Sequence, residues 1–350
     1  MNEKKLRRLS EAAAEIITWC AENRRPLPWR LDPDPYHVWL SEIMLQQTRV
    51  ETVIPYYSRF LEAFPTVRSL ADAPEERVLK LWEGLGYYGR ARRLKAAAEK
   101  LAAEYGGQLP RRADELRRLP GVGGYTAGAI ASIAYGEPEP AVDGNVLRVL
   151  ARLFAFGEDV LHPSVRRRAE AMLRAVYPSG PDAALLTEGL MELGEVVCTP
   201  GGGPDCSRCP VEKLCLARVE GRQGSLPVRS GAKARRVEEI TVLILACGEK
   251  RAIRRRADAG LLAGMWELPN LPGRLDETAL RARLAEAGIA PLSVEPCGET
   301  GHVFTHVEWR MTGYHVTLAG PAGDFVFETP ETIRASYAVP SAFRFYLKKL

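Results

Sequence analysis

Cys198, Cys206, Cys209 and Cys215 follow the spacing Cys-x7-Cys-x2-Cys-x5-Cys, close enough for one loop to offer four thiolates to a single metal centre. Zinc competes for such a ligand set, although zinc modules usually present two Cys-x2-Cys knuckles and this segment has one. A second chemical signal is ELRRLPGVGGYTAGAIASIAYG, in which a Pro-Gly-Val-Gly-Gly turn separates two helical stretches. Gly121 and Gly123 let the backbone come close to a ligand, and free amides at the start of the second helix favour an anion such as a DNA phosphate. An ordinary helical turn is the plainer alternative.

The elements that must hold these groups are mostly helical at first. Residues 1–216 carry Ala, Leu, Glu and Arg at helical spacing, broken at Pro26 and Pro28, Gly84 and Gly86, Gly106 and Gly107, and Pro120 to Gly124. An all-α domain is expected there. Residues 217–236 lose the periodic apolar face and become polar, Gly-containing and basic, as a linker does. Beyond them EEITVLILACGEKRAIRRR reads as a strand pair, HVEWRMTGYHVTLAG as a further strand and DETALRARLAEAG as a helix, so 237–350 is expected to be α+β.

At 350 residues the chain exceeds one ordinary core, and 46% hydrophobic with 26% charged residues excludes disorder and fibrous repeats. A net charge of +4 permits a polyanionic partner without requiring one. Basic groups gather at Arg90, Arg92, Arg93 and Lys95, at Arg111, Arg112, Arg117 and Arg118, and at Arg254 to Arg256; solvated helix faces would look the same. The opening MNEKKLRRLSEAAAEIITWC reads as an amphipathic helix and lacks a signal peptide's apolar core, and no apolar run is long enough to span a membrane. Seven cysteines, four of them bunched, point to a reducing compartment, so a cytoplasmic, DNA-associated protein is expected. Without coiled-coil heptads, a monomer is expected.

The cysteine loop and the LPGVG hairpin together resemble the endonuclease III and MutY glycosylases, helix-hairpin-helix enzymes with a [4Fe–4S] cluster. The usual pattern has six residues between the first two cysteines; this chain has seven, the extra one falling in TPGGGPD. The resemblance implies a six-helix module over about 25–130 and a cluster-bearing module from 1–24 and 131–216. The hairpin would grip the phosphate backbone without reading bases. Where the endonuclease III branch has a lysine that forms a Schiff base, this chain has Tyr125, which cannot, so a monofunctional glycosylase is implied.

Hydrolysing an N-glycoside needs a proton donor and an anion, and composition cannot select two carboxylates from 44 acidic residues. WLSEIMLQQTRV and PAVDGNVLRVL resemble MutY segments closely, and imply that Glu42 protonates adenine while Asp143 stabilises the cationic sugar, with Tyr125 beside it. By residue type alone, Glu42 would be a surface glutamate and Asp143 a helix cap. The same resemblance assigns Arg30, Leu45, Val50 and Glu188 to the extruded adenine, and Gln47, Thr48, Leu85 and Tyr87 to the duplex. Core packing is the plainer reading of Tyr87 and Tyr88.

The second domain resembles a Nudix fold, but ALRARLAEAGI puts Ala282 and Ala285 where metal-binding glutamates belong and leaves only Glu286. Pyrophosphate hydrolysis and a magnesium requirement are therefore not expected. GLLAGMWELP and GHVFTHVEW resemble the MutT-like region of MutY, in which Phe304, Thr305 and His306 would sense 8-oxoguanine. Thr305 replaces the usual serine and keeps the hydroxyl. The expected partner is duplex DNA with adenine opposite 8-oxoguanine or guanine, besides possible replication or repair proteins.

Overall fold

The computed structural model describes residues 2–201, 203–231 and 234–350. The helices are α1 Glu3–Asn23, α2 Pro28–Leu31, α3 Pro35–Leu45, α4 Val50–Ala63, α5 Val67–Asp72, α6 Glu75–Trp82, α7 Gly89–Glu104, α8 Ala113–Leu116, α9 Gly124–Tyr135, α10 Gly144–Leu153, α11 Pro163–Arg174, α12 Pro181–Glu192 and α13 Leu216–Val219. The strands are β1 Arg236–Cys247, β2 Lys250–Arg255, β3 Trp266–Glu267, β4 Asn270–Pro272, β5 Pro291–Val303, β6 Val307–Leu318 and β7 Val326–Glu328; α14 Glu277–Glu286, α15 Pro330–Ser336 and α16 Arg344–Leu347 complete the set. The expected helical first part and α+β second part are both present.

Two compact units result: residues 1–72 with 93–231, and residues 73–92 with 232–350. In the first, α1 begins at Asn2, whose side chain accepts the Lys5 amide, and buries Leu9, Ala12, Ala13, Ile16 and Cys20 along one face. α3 starts with the Asp34 cap and Pro35, and is buried from Val38 to Met44, as suits a helix enclosed by its neighbours. α9 is made of small residues because it packs against both α3 and α12. A Cβ at Gly128 would collide with the carbonyl of Pro140, so only glycine fits that approach.

The segment read as a linker is partly packed on this unit. Leu226 is buried and its carbonyl accepts Arg152 Nε at 2.9 Å, and the Val160 amide donates to Val228 at 3.0 Å. Scattered apolar residues such as Leu226 and Val228 in a polar run are too weak a pattern to predict this anchoring. Ala232 and Lys233 of the same segment, and Gly202 of the cysteine loop, lie outside the described residues.

The second unit is built on a mixed sheet ordered β3-β2-β1-β6-β5, with β4 on β1 and β7 on β2. β1 and β6 run parallel from Arg236 and Val307, and the other pairs are antiparallel. Along β1, Ile240, Val242 and Ile244 enter one core with Ile333, Phe343 and Tyr346, while Leu243 and Leu245 enter another with Leu280, Leu284 and Ile289. The period-2 alternation thus feeds both faces, which is why the strand reads as a continuous apolar run. α6 joins this unit: Lys80 donates to the Tyr337 carbonyl at 3.0 Å, and the Val339 amide donates to Glu83 at 2.9 Å.

Candidate active site

A cavity of about 860 Å³ opens in the first unit, and α2, α3, α9, α10 and α12 each contribute a polar side chain to it. Glu42 enters from the buried helix α3 and is only 4% exposed. Its Oε2 finds no hydrogen-bond partner among the described residues. Burial raises its pKa from 4.5 to about 7; Tyr125 opposes this by hydrogen bonding, the Asp143 charge adds to it, and the Arg30 charge opposes it. Glu42 is therefore a carboxylic acid for much of its time near neutrality.

Tyr125 lies in the first turn of α9, and burial together with Glu42 and Asp143 keeps its phenol neutral, well above the usual tyrosine range. Its hydroxyl also approaches Met191 Sδ at 3.6 Å. Asp143 does cap α10, its Oδ1 accepting the Val146 amide at 2.7 Å. It lines the cavity as well, and burial raises its pKa against the hydrogen bonds from the Val146 and Asn145 amides.

Arg30 and Glu188 belong to an ionic network on the opposite wall. Arg30 Nε lies 3.8 Å from Glu188, and its Nη2 lies 2.9 Å from Glu192. Arg24 pairs with Glu188, while Arg25 takes Glu192 with two nitrogens and reaches Glu195 at 2.8 Å. Leu45, Gln47, Thr48 and Val50 line the same cavity. Gln47 holds a left-handed φ of 59°, which a non-glycine residue adopts only under local constraint. Gly121 and Gly123 precede α9; Gly121 has φ 78°, and a Cβ there would press on Arg93.

The candidates for contact with the duplex and with 8-oxoguanine at Leu85, Tyr87 and Phe304 to His306 lie in the second unit. Tyr87 is 50% exposed with φ 50°, whereas Tyr88 and Leu85 are buried at 6% and 5%. Core packing therefore describes Tyr88 and not Tyr87, and Leu85 offers its side chain to the interior. Tyr87 Oη lies 3.0 Å from Thr305 Oγ1. Thr305 and His306 are exposed at the β5–β6 turn, while Phe304 packs edge-on against Trp309 at 4.9 Å. Glu286, the last acid of the Nudix-like helix, faces Arg283 at 3.7 Å.

Among the described residues no three His, Cys, Asp or Glu side chains converge as a single-ion site. Cys198, Cys206, Cys209 and Cys215 instead line one small cavity, together with Arg152 and Arg218. Arg152 donates to Cys198 Sγ at 3.2 Å, and Arg148 donates to the Cys198 carbonyl at 2.8 Å. Sequence reasoning missed this clamp, although two arginines one turn apart on the otherwise apolar GNVLRVLARL were a visible signal. It also missed Glu192 and Met191, which had no motif of their own.

A buried acid facing a cavity beside a glycine-rich hairpin is the arrangement that a helix-hairpin-helix base-excision glycosylase requires. Residues 40–175 match the HhH-GPD superfamily of base excision DNA repair proteins, and residues 240–349 match the NUDIX domain. The human adenine DNA glycosylase is 37% identical over 95% of this chain and 73% of its own length; the rat protein is 37% identical over 87% and 70%. A thermostable thymine-DNA glycosylase superposes with TM-score 0.54 at 29% identity, covering 62% of this chain and 98% of that one. An endonuclease III trapped on DNA has TM-score 0.51 at 24% identity, over 63% and 99%, and shares the fold. The chain belongs to the adenine DNA glycosylase family and is a base-excision repair enzyme.

Proposed function

We propose that this enzyme hydrolyses the N-glycosidic bond of adenine mispaired with 8-oxoguanine or guanine in duplex DNA, leaving an abasic site. The observation that carries the reading is Glu42: a buried carboxyl with a pKa near 7 and an unsatisfied oxygen, sharing a cavity with Tyr125 and Asp143. With the base rotated out of the stack, Glu42 gives its proton to adenine N7, and the electron pair of the C1′–N9 bond leaves with the base. The Asp143 carboxylate offsets the positive charge on the sugar. Water then adds to C1′ and its proton goes to the Glu42 carboxylate.

Arg30 and Glu188 hold the base edge, Leu45 and Val50 its faces, and Gln47, Thr48 and Tyr87 fill the gap in the duplex. Leu85 braces that loop from beneath. Gly121 and Gly123 hold a phosphate. Phe304 anchors the turn that presents Thr305 and His306 to 8-oxoguanine. With Tyr125 where a Schiff-base lysine would stand, strand cleavage is not part of the reaction.

The four cysteines suit a [4Fe–4S] cluster better than zinc. Their single Cys-x2-Cys pair departs from the two knuckles of zinc modules, they line one cavity, and Arg152 and Arg218 supply positive charge against thiolate ligands. The cluster would hold its loop and carry no step of the hydrolysis. Replacing Glu42 with Gln tests the mechanism: adenine release should fall by about 10³-fold or more while duplex binding persists. Retained turnover would remove Glu42 from the chemistry.

A further inference from the structure

Beyond Asp143 the cavity wall changes character. Arg148, Arg152, Arg166 and Arg229 line this end, together with Gly224, Leu226 and Pro227. The last four of these residues, Arg229 included, come from the stretch that reads as linker in the sequence. We propose that residues 224–230 are a wall of the active site, and that Arg229 binds a backbone phosphate of the strand whose nucleotide enters the cavity. The proposal rests on the glycosylase reading and adds a contact outside the base-holding and hairpin residues.

The segment is fixed on both sides of Arg229. The Val228 carbonyl accepts the Val160 amide at 3.0 Å, and the Ser230 amide donates to Asp159 Oδ2 at 3.0 Å. The other oxygen of Asp159 is taken by the Leu161 amide at 2.8 Å, so both oxygens hold the backbone while the carboxylate charge also acts on Arg229. Two residues earlier, Leu226 is buried with its carbonyl on Arg152. Arg229 is thus exposed on an anchored segment, and its placement costs little further ordering when a ligand arrives.

The other three guanidinium groups are occupied. Arg148 is held by the Gly194 and Cys198 carbonyls and Asn145, Arg152 by the cysteine loop and Leu226, and Arg166 by the Val142 carbonyl. Arg229 has no ion pair or side-chain hydrogen bond among the described residues. Four arginines in the lining, one of them without an ion pair or side-chain hydrogen bond, favour an anion there even with Asp143 and Asp159 close by. A nucleotide whose sugar lies against Asp143 brings its flanking phosphates into the cavity that Arg229 also lines, and an exposed guanidinium is suited to a phosphate fork.

The test is binding to a duplex carrying an uncleavable tetrahydrofuran residue opposite 8-oxoguanine, measured across salt for wild type, Arg229→Ala and Arg229→Lys. Arg229→Ala should bind about tenfold more weakly, with a log–log salt slope shallower by about 0.9, and Arg229→Lys should recover most of the slope. Methylphosphonates placed singly at the phosphates flanking the tetrahydrofuran identify the contact: one position should weaken wild type and leave Arg229→Ala unaffected. Equal sensitivity of both proteins at every position, or an unchanged salt slope, overturns the proposal. Because the readout is binding, it is separable from failure of the glycosylase reading, which would appear as wild type releasing no adenine.

Discussion

The proposed mechanism requires Glu42 to carry a proton at working pH, and burial favours that form. Because burial raises its pKa to about 7, the protonated fraction, and with it the first-order rate of adenine release at saturation, should decline as pH rises through 7. A pH-independent rate between 6 and 8.5 would separate Glu42 from proton donation. The same shift has a stability consequence. A carboxyl whose pKa is raised on folding favours the folded state fully below about pH 4.5, and that contribution is lost as pH rises through about 7. Going from 4.5 to about 7 corresponds to about 3 kcal/mol, so Glu42→Gln, which cannot ionise, should gain on wild type in denaturant titrations at pH 8 relative to pH 4.5. Asp143 caps α10 and is proposed to stabilise the sugar cation, and Asp143→Asn separates the two roles: asparagine still caps α10, so the Tm should change little while adenine release collapses. A large loss of Tm with retained turnover would leave Asp143 only a cap.

At the scale of elements, the close contact of α9 with the chain before α10 sets Tyr125 and Asp143 in one cavity. Gly128→Ala puts a methyl against the Pro140 carbonyl and should destabilise the protein by about 1–3 kcal/mol in denaturant titration. An unaffected midpoint would mean that the contact yields freely. Much of this arrangement was legible in the sequence. The helical first part, the β1–β2 pair, β6 and α14 follow from apolar period and turn residues, and the hairpin from its glycines. Other features were not. Gln47 and Tyr87 hold left-handed backbone without the glycine that would announce it, because their surroundings impose it. The anchoring of Leu226 to Ser230 depends on backbone and on Arg152, neither of which leaves periodicity. Placing Glu42 beside Asp143 required a family resemblance, since two carboxylates a hundred residues apart carry no mutual spacing.

For the whole molecule, the helical unit holds the cavity and the sheet unit the exposed turn, so the proposed function assigns bond cleavage to the first and recognition of the opposite base to the second. Replacing His306 with Ala should therefore reduce the preference for 8-oxoguanine over guanine opposite adenine while leaving the rate on the 8-oxoguanine duplex at saturation within a few-fold. Unchanged selectivity would sink the turn as a sensor. α6 and the Tyr87 turn belong to the compact unit of the sheet, so a division of the chain by sequence position alone would cut through a folded body. No helix among the described residues is long and apolar enough to cross a membrane. The central claim is tested most directly by incubating the protein in EDTA with duplexes holding one adenine opposite 8-oxoguanine, guanine or thymine, then comparing strand breakage with and without hot alkali. Breaks at the 8-oxoguanine and guanine mispairs should appear only after alkali; breaks without alkali, or none at either mispair, would overturn the monofunctional adenine glycosylase reading.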